Sequence, residues 1–277
     1  MPSDDPRTQS NRSWWNERAA LHRQTPLYRR HIERLESGGL SLLPTEVREL
    51  GDIRGLRVLH LQCHIGTDTL SLSRLGATVT GVDFSEVAIE QARRLSADLD
   101  IPATFEVCEI RSLTARYQGA FDRVFTSHGV LTWLPDLDEW AQQIAGCLTP
   151  GGQLYLSEGH PLVWALAERD AVEERGLRLG LPYLAQDQPL TFVEAGSYAD
   201  RDLPTSANTT REWSWGLGDV VNALIGAGLV LDHLNEHPVG FCQVVDELEE
   251  GADGHYRLPA PMAGWFPLTF TIRATKP

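Results

Sequence analysis

The chain has 277 residues, 42% of them hydrophobic, and a formal net charge of −14. That length buries one large core, or one core and a smaller cap, while the acidic balance repels a phosphate backbone and argues against nucleic acid as a partner. No stretch is long and apolar enough to span a bilayer, "MPSDDPRTQS" lacks an apolar signal core, and the four scattered cysteines form no CxxC pair, so a cytoplasmic protein with no disulfide or metal site is expected.

Residues 1–10 are expected to be loose. From Asn11 to Leu35, the spacing of Trp14, Trp15, Arg18 and His22 with a break at Pro26 predicts two short helices ahead of the first strand. "RGLRVLHLQC" is a buried strand, "TDTLSLSRLG" a helix closed by Gly76, and "ATVTGVDFS" a second strand. Ser85 caps the following helix, whose residues Val87, Ala88, Ile89, Ala92 and Leu95 line one face. "ATFEVCE" and "FDRVFTSHG" read as the third and fourth strands. A helix from Asp136 to Cys147 follows, with Asp136 and Glu139 spaced as a capping box, and "QLYLSEGH" is the fifth strand. This alternation implies a parallel sheet.

Pro161 to Arg211 has no clear period and is too long for a plain loop, so a lid or small inserted subdomain is expected there, with Trp164, Tyr183, Phe192 and Tyr198 available to wall a pocket. "GLGDVVNALIGAGL" returns as a helix. "VLDHLNEH" and "GWFPLTFTIRATK" read as an antiparallel strand pair at the sheet edge.

In such a sheet, ligands bind beyond the carboxyl ends of the strands where the winding reverses, here the turn after the first strand. Asp83, about twenty residues beyond that turn, is spaced to take the hydroxyls of a cofactor ribose, and Phe84 offers a flat face to a base. The turn "LQCHIGTDT" holds a single glycine, Gly66, which disfavours a dinucleotide.

Taken in order, "VLHLQCHIG", "GVDFS", "ATFEVCEIRSL", "FDRVFTSHGVLTWLPDLDEW" and "LTPGGQLYLSE" resemble the class I S-adenosylmethionine-dependent methyltransferases. The chain is similar in particular to bacterial small-molecule methyltransferases that open with a "WWNE" type helix. The resemblance implies an α/β, Rossmann-like seven-stranded sheet of order 3-2-1-4-5-7-6 with strand 7 antiparallel, an N-terminal helical cap and a lid insertion after strand 5. It divides the chain into a cap (1–50), an S-adenosylmethionine-binding core (51–158), a lid (159–211) and the C-terminal part of the core (212–277). It also implies a methionine moiety over the first turn, ribose on Asp83, and adenine near Phe84 and Glu109 with Ile110 beside it. Trp15 would close over the cofactor, and Ser127 and His128 would reach its rim.

Three departures stand out. The family's acidic residue at the end of strand one is here His60, two of its glycines are Gln62 and His64, and its usual Asp after strand three is Glu109. S-adenosylmethionine carries no phosphate, so less glycine is required, and Gln62 and His64 can offer side-chain hydrogen bonds in place of the missing acid. Methyl transfer needs an aligned acceptor and excluded water, and a base only if the acceptor must lose a proton early. His160 is the leading candidate base, with His128 and His22 behind it. The expected activity is methyl transfer to a small-molecule acceptor, leaving S-adenosylhomocysteine, by a monomer or homodimer. Two other readings share the fold: a cofactor-binding protein with a non-methylation reaction, and a cofactor-free scaffold.

Overall fold

In a computed structural model of the chain, residues 6–166 and 180–277 are described, except 246, 252, 254 and 261. Its first strand, β1 (Arg57–Leu61), is buried from its second residue onward, and the reason is its position. Parallel β2 (Thr78–Asp83) lies on one side of it and parallel β4 (Phe121–Ser127) on the other. Strands covered on both faces read as apolar runs rather than alternations, as this one does. β3 (Thr104–Val107) extends the sheet beyond β2, and β5 (Leu148–Gly159) extends it beyond β4.

Two further short strands, β6 (Leu190–Val193) and β7 (Thr209–Glu212), pair antiparallel outside the sheet. β8 (Val230–His237) rejoins it, β9 (Glu249–Glu250) and β10 (Tyr256–Arg257) form a second small ribbon, and β11 (Thr269–Thr275) inserts antiparallel between β5 and β8. The sheet order is β3-β2-β1-β4-β5-β11-β8. With β8 and β11 as its sixth and seventh members, this is the expected 3-2-1-4-5-7-6 arrangement.

Helices cover both faces. Trp140 and Ile144 of one helix (Leu137–Cys147) and Val220 and Leu224 of another (Leu217–Gly226) pack on Leu59, Leu61, Leu154 and Ile272. The opposite face packs Val58, Val79 and Phe125 against Leu72 of the helix after β1 (Thr67–Arg74) and Leu50 of a short helix (Pro44–Leu50). The helix after β2 (Glu86–Leu99) starts on Ser85, whose hydroxyl accepts from Ala88 N, as its sequence suggests. Asp136 caps the later helix in the same way through Glu139 N.

Two features differ from expectation, and a third adds detail to it. The N-terminal helix begins at Pro6, so the segment 6–10 is ordered rather than loose; proline is well placed in a first helical turn, where its missing N–H costs nothing. The helix Pro44–Leu50 was not foreseen, because seven residues are too few to display a period. The insertion after β5 contains the β6–β7 ribbon, while residues 167–179 of the expected lid lie outside the described residues.

The N-terminal helix (Pro6–His22) fastens that insertion to the core. Arg18 is fully buried, and its guanidinium donates to the carbonyls of Gly196 (2.9 Å), Ala207 (2.8 Å) and Glu194 (3.2 Å) while lying 3.9 Å over the Trp14 ring. Asn11 exchanges two hydrogen bonds with the Arg211 backbone, and Glu17 accepts from Ser206 N and Ala207 N. Replacing Arg18 by Met keeps the bulk and strands these carbonyls away from water. We expect Arg18→Met to lose about 3–5 kcal/mol in urea unfolding and to open residues 194–208 to limited proteolysis; parent-like unfolding and cleavage would contradict this role.

Candidate active site

The carboxyl ends of β1, β2 and β4 open into a cavity of about 860 Å³, toward the upper end of the roughly 300–1,000 Å³ typical of small-molecule sites. It sits where the chain leaves β1 for β2 on one side and later returns to β4 on the other, the switch point at which such sheets bind ligands. Its roof is aromatic: Trp15 from the N-terminal helix, Tyr28 from the next helix (Pro26–Glu36), Trp133, and Phe192 and Tyr198 from the insertion. Trp164 and Tyr183 also line it, so all four aromatics singled out between Pro161 and Arg211 reach the cavity.

The turn after β1 solves its shortage of glycine by accepting strain. Gln62 and His64 take left-handed backbone angles, φ 51° and 49°, where a glycine would sit without cost. Each such non-glycine residue costs on the order of 1 kcal/mol and persists only if neighbours hold it. Gln62 Nε2 donates to Val130 O at 3.0 Å, and His64 N donates to Asp83 Oδ2 at 2.9 Å. Gly66, at φ 82°, is irreplaceable for another reason: a Cβ there would stand 2.7 Å from the Phe105 ring.

Asp83 therefore joins two strand ends. Its Oδ1 accepts from Ser85 N at 2.8 Å and its Oδ2 from His64 N, leaving a lone pair on each oxygen directed by a fixed geometry. Burial pushes its carboxyl up to about 6 against the pull of those amides and of Arg12, so it is ionised at neutral pH. Phe84 lines the cavity beside it. Arg12, which the sequence reading passed over, donates to Phe84 O at 2.7 Å and pairs with Glu109. Glu109 is also held by Arg111 at 2.8 Å, so it lines the cavity next to Ile110 as an already neutralised group.

The histidines fall into distinct places. His60 lies on the β1 face toward the helix Thr67–Arg74, bonds Thr69 Oγ1 at 2.8 Å, and is pushed by burial down to about 4, hence neutral. His64 is likewise neutral, pushed by burial down to about 3, and its Nε2 meets His22 Nδ1 at 2.8 Å. His22 is a layer behind the cavity lining, with its other nitrogen on Ser197 Oγ, so it links turn, N-terminal helix and insertion instead of facing a substrate. His160 also lies outside the lining. Its Nδ1 accepts from Leu162 N, capping a short helix (Pro161–Trp164), and its Nε2 is 2.9 Å from Glu236. Both ring nitrogens of the leading candidate base thus lie against protein groups, and the residue is not among those that line the cavity.

His128 alone among the three candidate bases lines the cavity, at the end of β4 with φ 46° and Phe241 stacked at 4.4 Å. Its Nε2 is 2.7 Å from Oε1 of Glu46, a fully buried carboxylate whose other oxygen accepts from Leu43 N. Burial works against charging this imidazole, but Glu46 prevails, with Asp68 and Glu158 adding to it, and the group is held up to about 9. His31 and His60 are the other titratable rings near it. Glu158, at the end of β5, is consumed structurally: it accepts from the backbone N of Gly129, Val130, Leu131 and Gly159 and so shapes the loop after β4. Ser127 and Ser41 turn their hydroxyls to Asp68, which also lines the cavity and was not foreseen. Among the described residues no group of His, Cys, Asp and Glu is arranged to hold a metal ion.

The comparisons with known proteins fit this geometry. The sequence pattern of a methyltransferase domain family matches residues 58–152. A ubiquinone biosynthesis O-methyltransferase of Xanthomonas axonopodis pv. citri is 33% identical over 156 residues, which cover 56% of this chain and 60% of that one. One from Proteus mirabilis is 29% identical over 147 residues, 52% of this chain and 54% of that one. The chain thus spans about 60% or less of these relatives' length. In structure, an S-adenosylmethionine-dependent methyltransferase from Mesorhizobium loti superposes with a TM-score of 0.59 at 21% identity, over 84% of this chain and 96% of that one. A glycopeptide N-methyltransferase in complex with S-adenosylmethionine does so at 0.52 and 18%, over 83% and 90%. These two share the fold of this chain. The residues matched by the methyltransferase domain family end before the insertion that roofs the cavity.

Two outcomes follow. Because the folded pKa of His128, about 9, stands above the unfolded value near 6.5, the pairing with Glu46 stabilises the fold fully below about pH 6.5 and is lost as pH rises through about 9. In Glu46→Gln the His128 pKa, read by NMR titration, should fall by about one unit or more, and the loss of stability between pH 6.5 and 9 should shrink; an unmoved titration would contradict the pairing. His160→Ala should cost about 1 kcal/mol of stability through the lost cap and leave ligand affinity at the cavity unchanged, whereas a large loss of affinity would return His160 to the site.

Proposed function

We propose that the protein transfers the methyl group of S-adenosylmethionine to a small-molecule acceptor. The observation that carries this reading is Asp83: a buried, ionised carboxylate at the end of β2, locked to the turn after β1 and open to a cavity at the switch point of the sheet. The methyltransferase domain match and the shared fold support the same activity.

Asp83 has lone pairs for the two ribose hydroxyls, and Phe84 and Ile110 offer apolar faces to adenine. The turn Gln62–Gly66 and Ser127 border the methionine end, and the Trp15 ring covers it, set edge-on to His64 at 5.1 Å. When bound, the cofactor supplies an electron-poor methyl group on a sulfonium, so the protein's task is alignment and exclusion of water. The aromatic roof performs the exclusion. His128 faces the acceptor end in its protonated form at neutral pH, and in that form it orients an acceptor by donating a hydrogen bond from Nδ1, for which no protein partner is present among the described residues. The relatives' O-methyltransferase activity favours oxygen as the acceptor atom. The acceptor itself is chosen by the insertion and the far wall around Phe241 and Trp164, beyond the matched residues.

A cytoplasmic monomer or homodimer without nucleic-acid partners belongs to the same reading, supported by the four cysteines being free thiols and by the charge of −14. Among the described residues no helix is long and apolar enough to cross a membrane.

Calorimetry with S-adenosylhomocysteine should give micromolar binding, weakened about 10–100-fold in Asp83→Asn, as expected for loss of charge-assisted hydrogen bonds. Tritium from labelled S-adenosylmethionine should pass to a component of a metabolite extract. Binding without transfer to any component would support a non-methylation reaction instead, and no binding at high micromolar cofactor would overturn both.

A further inference from the structure

A sulfonium cofactor with an amino-acid tail brings a second cation, its ammonium, and a buried site must answer it with acceptors. On the strand that leads into the turn, His60 is neutral and bonded to Thr69, so it offers no charge to meet a cation. Four other carboxylates at or next to the cavity are already engaged. Asp83 holds two backbone amides, Glu158 holds four, Glu46 is paired with His128, and Glu109 is paired with Arg12 and Arg111.

Asp68 is different. It stands on the first turn of the helix Thr67–Arg74, immediately after the turn that borders the methionine end, and its carboxylate lines the cavity. Its direct partners are two hydroxyls: Ser41 Oγ donates to Oδ1 at 2.5 Å and Ser127 Oγ to Oδ2 at 3.2 Å. No Lys or Arg pairs with it among the described residues. Although burial disfavours its charge, His128 and, beyond it, His60 and His31 bring its pKa below the ordinary carboxylate range, so it is ionised.

An independent orphan lies on the same turn. Gln62 Nε2 is fixed on Val130 O, which aims the amide, and its Oε1 is buried without a hydrogen-bond partner. A buried acceptor left unpaired costs about 1–3 kcal/mol, and a ligand that brings a donor recovers it. An ammonium brings three N–H donors to acceptors of this kind, whereas the carboxylate end of the same tail would be repelled by Asp68.

We infer that Asp68, at the start of the helix after the turn, forms with Gln62 Oε1 the subsite for the ammonium of the cofactor's amino-acid tail. The inference rests on the cofactor reading above, and its test separates the two. S-adenosylhomocysteine carries the tail, and 5′-methylthioadenosine keeps the ribose and adenine but lacks it. By calorimetry on the full chain, Asp68→Asn should bind S-adenosylhomocysteine about 10–100-fold more weakly than the parent and 5′-methylthioadenosine as the parent does, the second result also reporting an intact site. Asp83→Asn should weaken both ligands, because both contain the ribose. If Asp68→Asn binds S-adenosylhomocysteine like the parent, or weakens both ligands equally, the subsite is overturned while the cofactor reading stands. If the parent binds neither ligand, the cofactor reading falls and takes the subsite with it.

Discussion

The architecture of the site hangs on one carboxylate. Asp83 accepts from the backbone of His64 in the turn after β1 and from the backbone of Ser85 at the start of the next helix, so the end of one strand holds the exit of its neighbour. That pair of hydrogen bonds keeps two non-glycine residues, Gln62 and His64, in a left-handed conformation they would otherwise leave. The turn's shape comes from tertiary support, where glycines would have adopted it without cost. With the turn fixed, Gln62 reaches Val130, His64 reaches His22, and the cavity acquires a rigid floor.

Around that floor, most of the charge is spent on structure. Glu158 gathers the loop after β4, Glu109 and Arg12 hold the N-terminal helix to β2 and β3, and Arg18 ties the same helix to the insertion. The roof is therefore bonded to the floor by the N-terminal helix, which touches both. This explains how a long aperiodic insertion can shelter the cavity from water: the insertion is anchored through its backbone carbonyls and needs no regular core of its own.

The strands, helices and caps were legible because they rest on local and repeated signals: apolar runs, Gly76 as a stop, Ser85 and Asp136 as caps, whereas the order of the strands in the sheet was implied by the family resemblance alone. Asp83 was legible because its distance from the turn is set by one helix and one strand. The histidines were harder. His128 and His160 both follow strand ends, yet one ring faces the cavity and the other caps a helix, and the direction depends on Glu46 and Glu236, partners 82 and 76 residues away. Glu46 itself lies on a seven-residue helix with no readable period, and Asp68 in the sequence looks like an ordinary acid in a helix's first turn. Pairings across the sheet are invisible to spacing, and they decide which ionisable groups remain free.

The central claim is that Asp83 receives a ribose at this turn. A crystal structure of the chain grown with S-adenosylhomocysteine tests it most directly. The account predicts both ribose hydroxyls within hydrogen-bond distance of the Asp83 carboxylate, with the amino-acid tail over Gln62 to Gly66; a nucleoside bound elsewhere in the cavity, with Asp83 bonded only to His64 and Ser85, would contradict it.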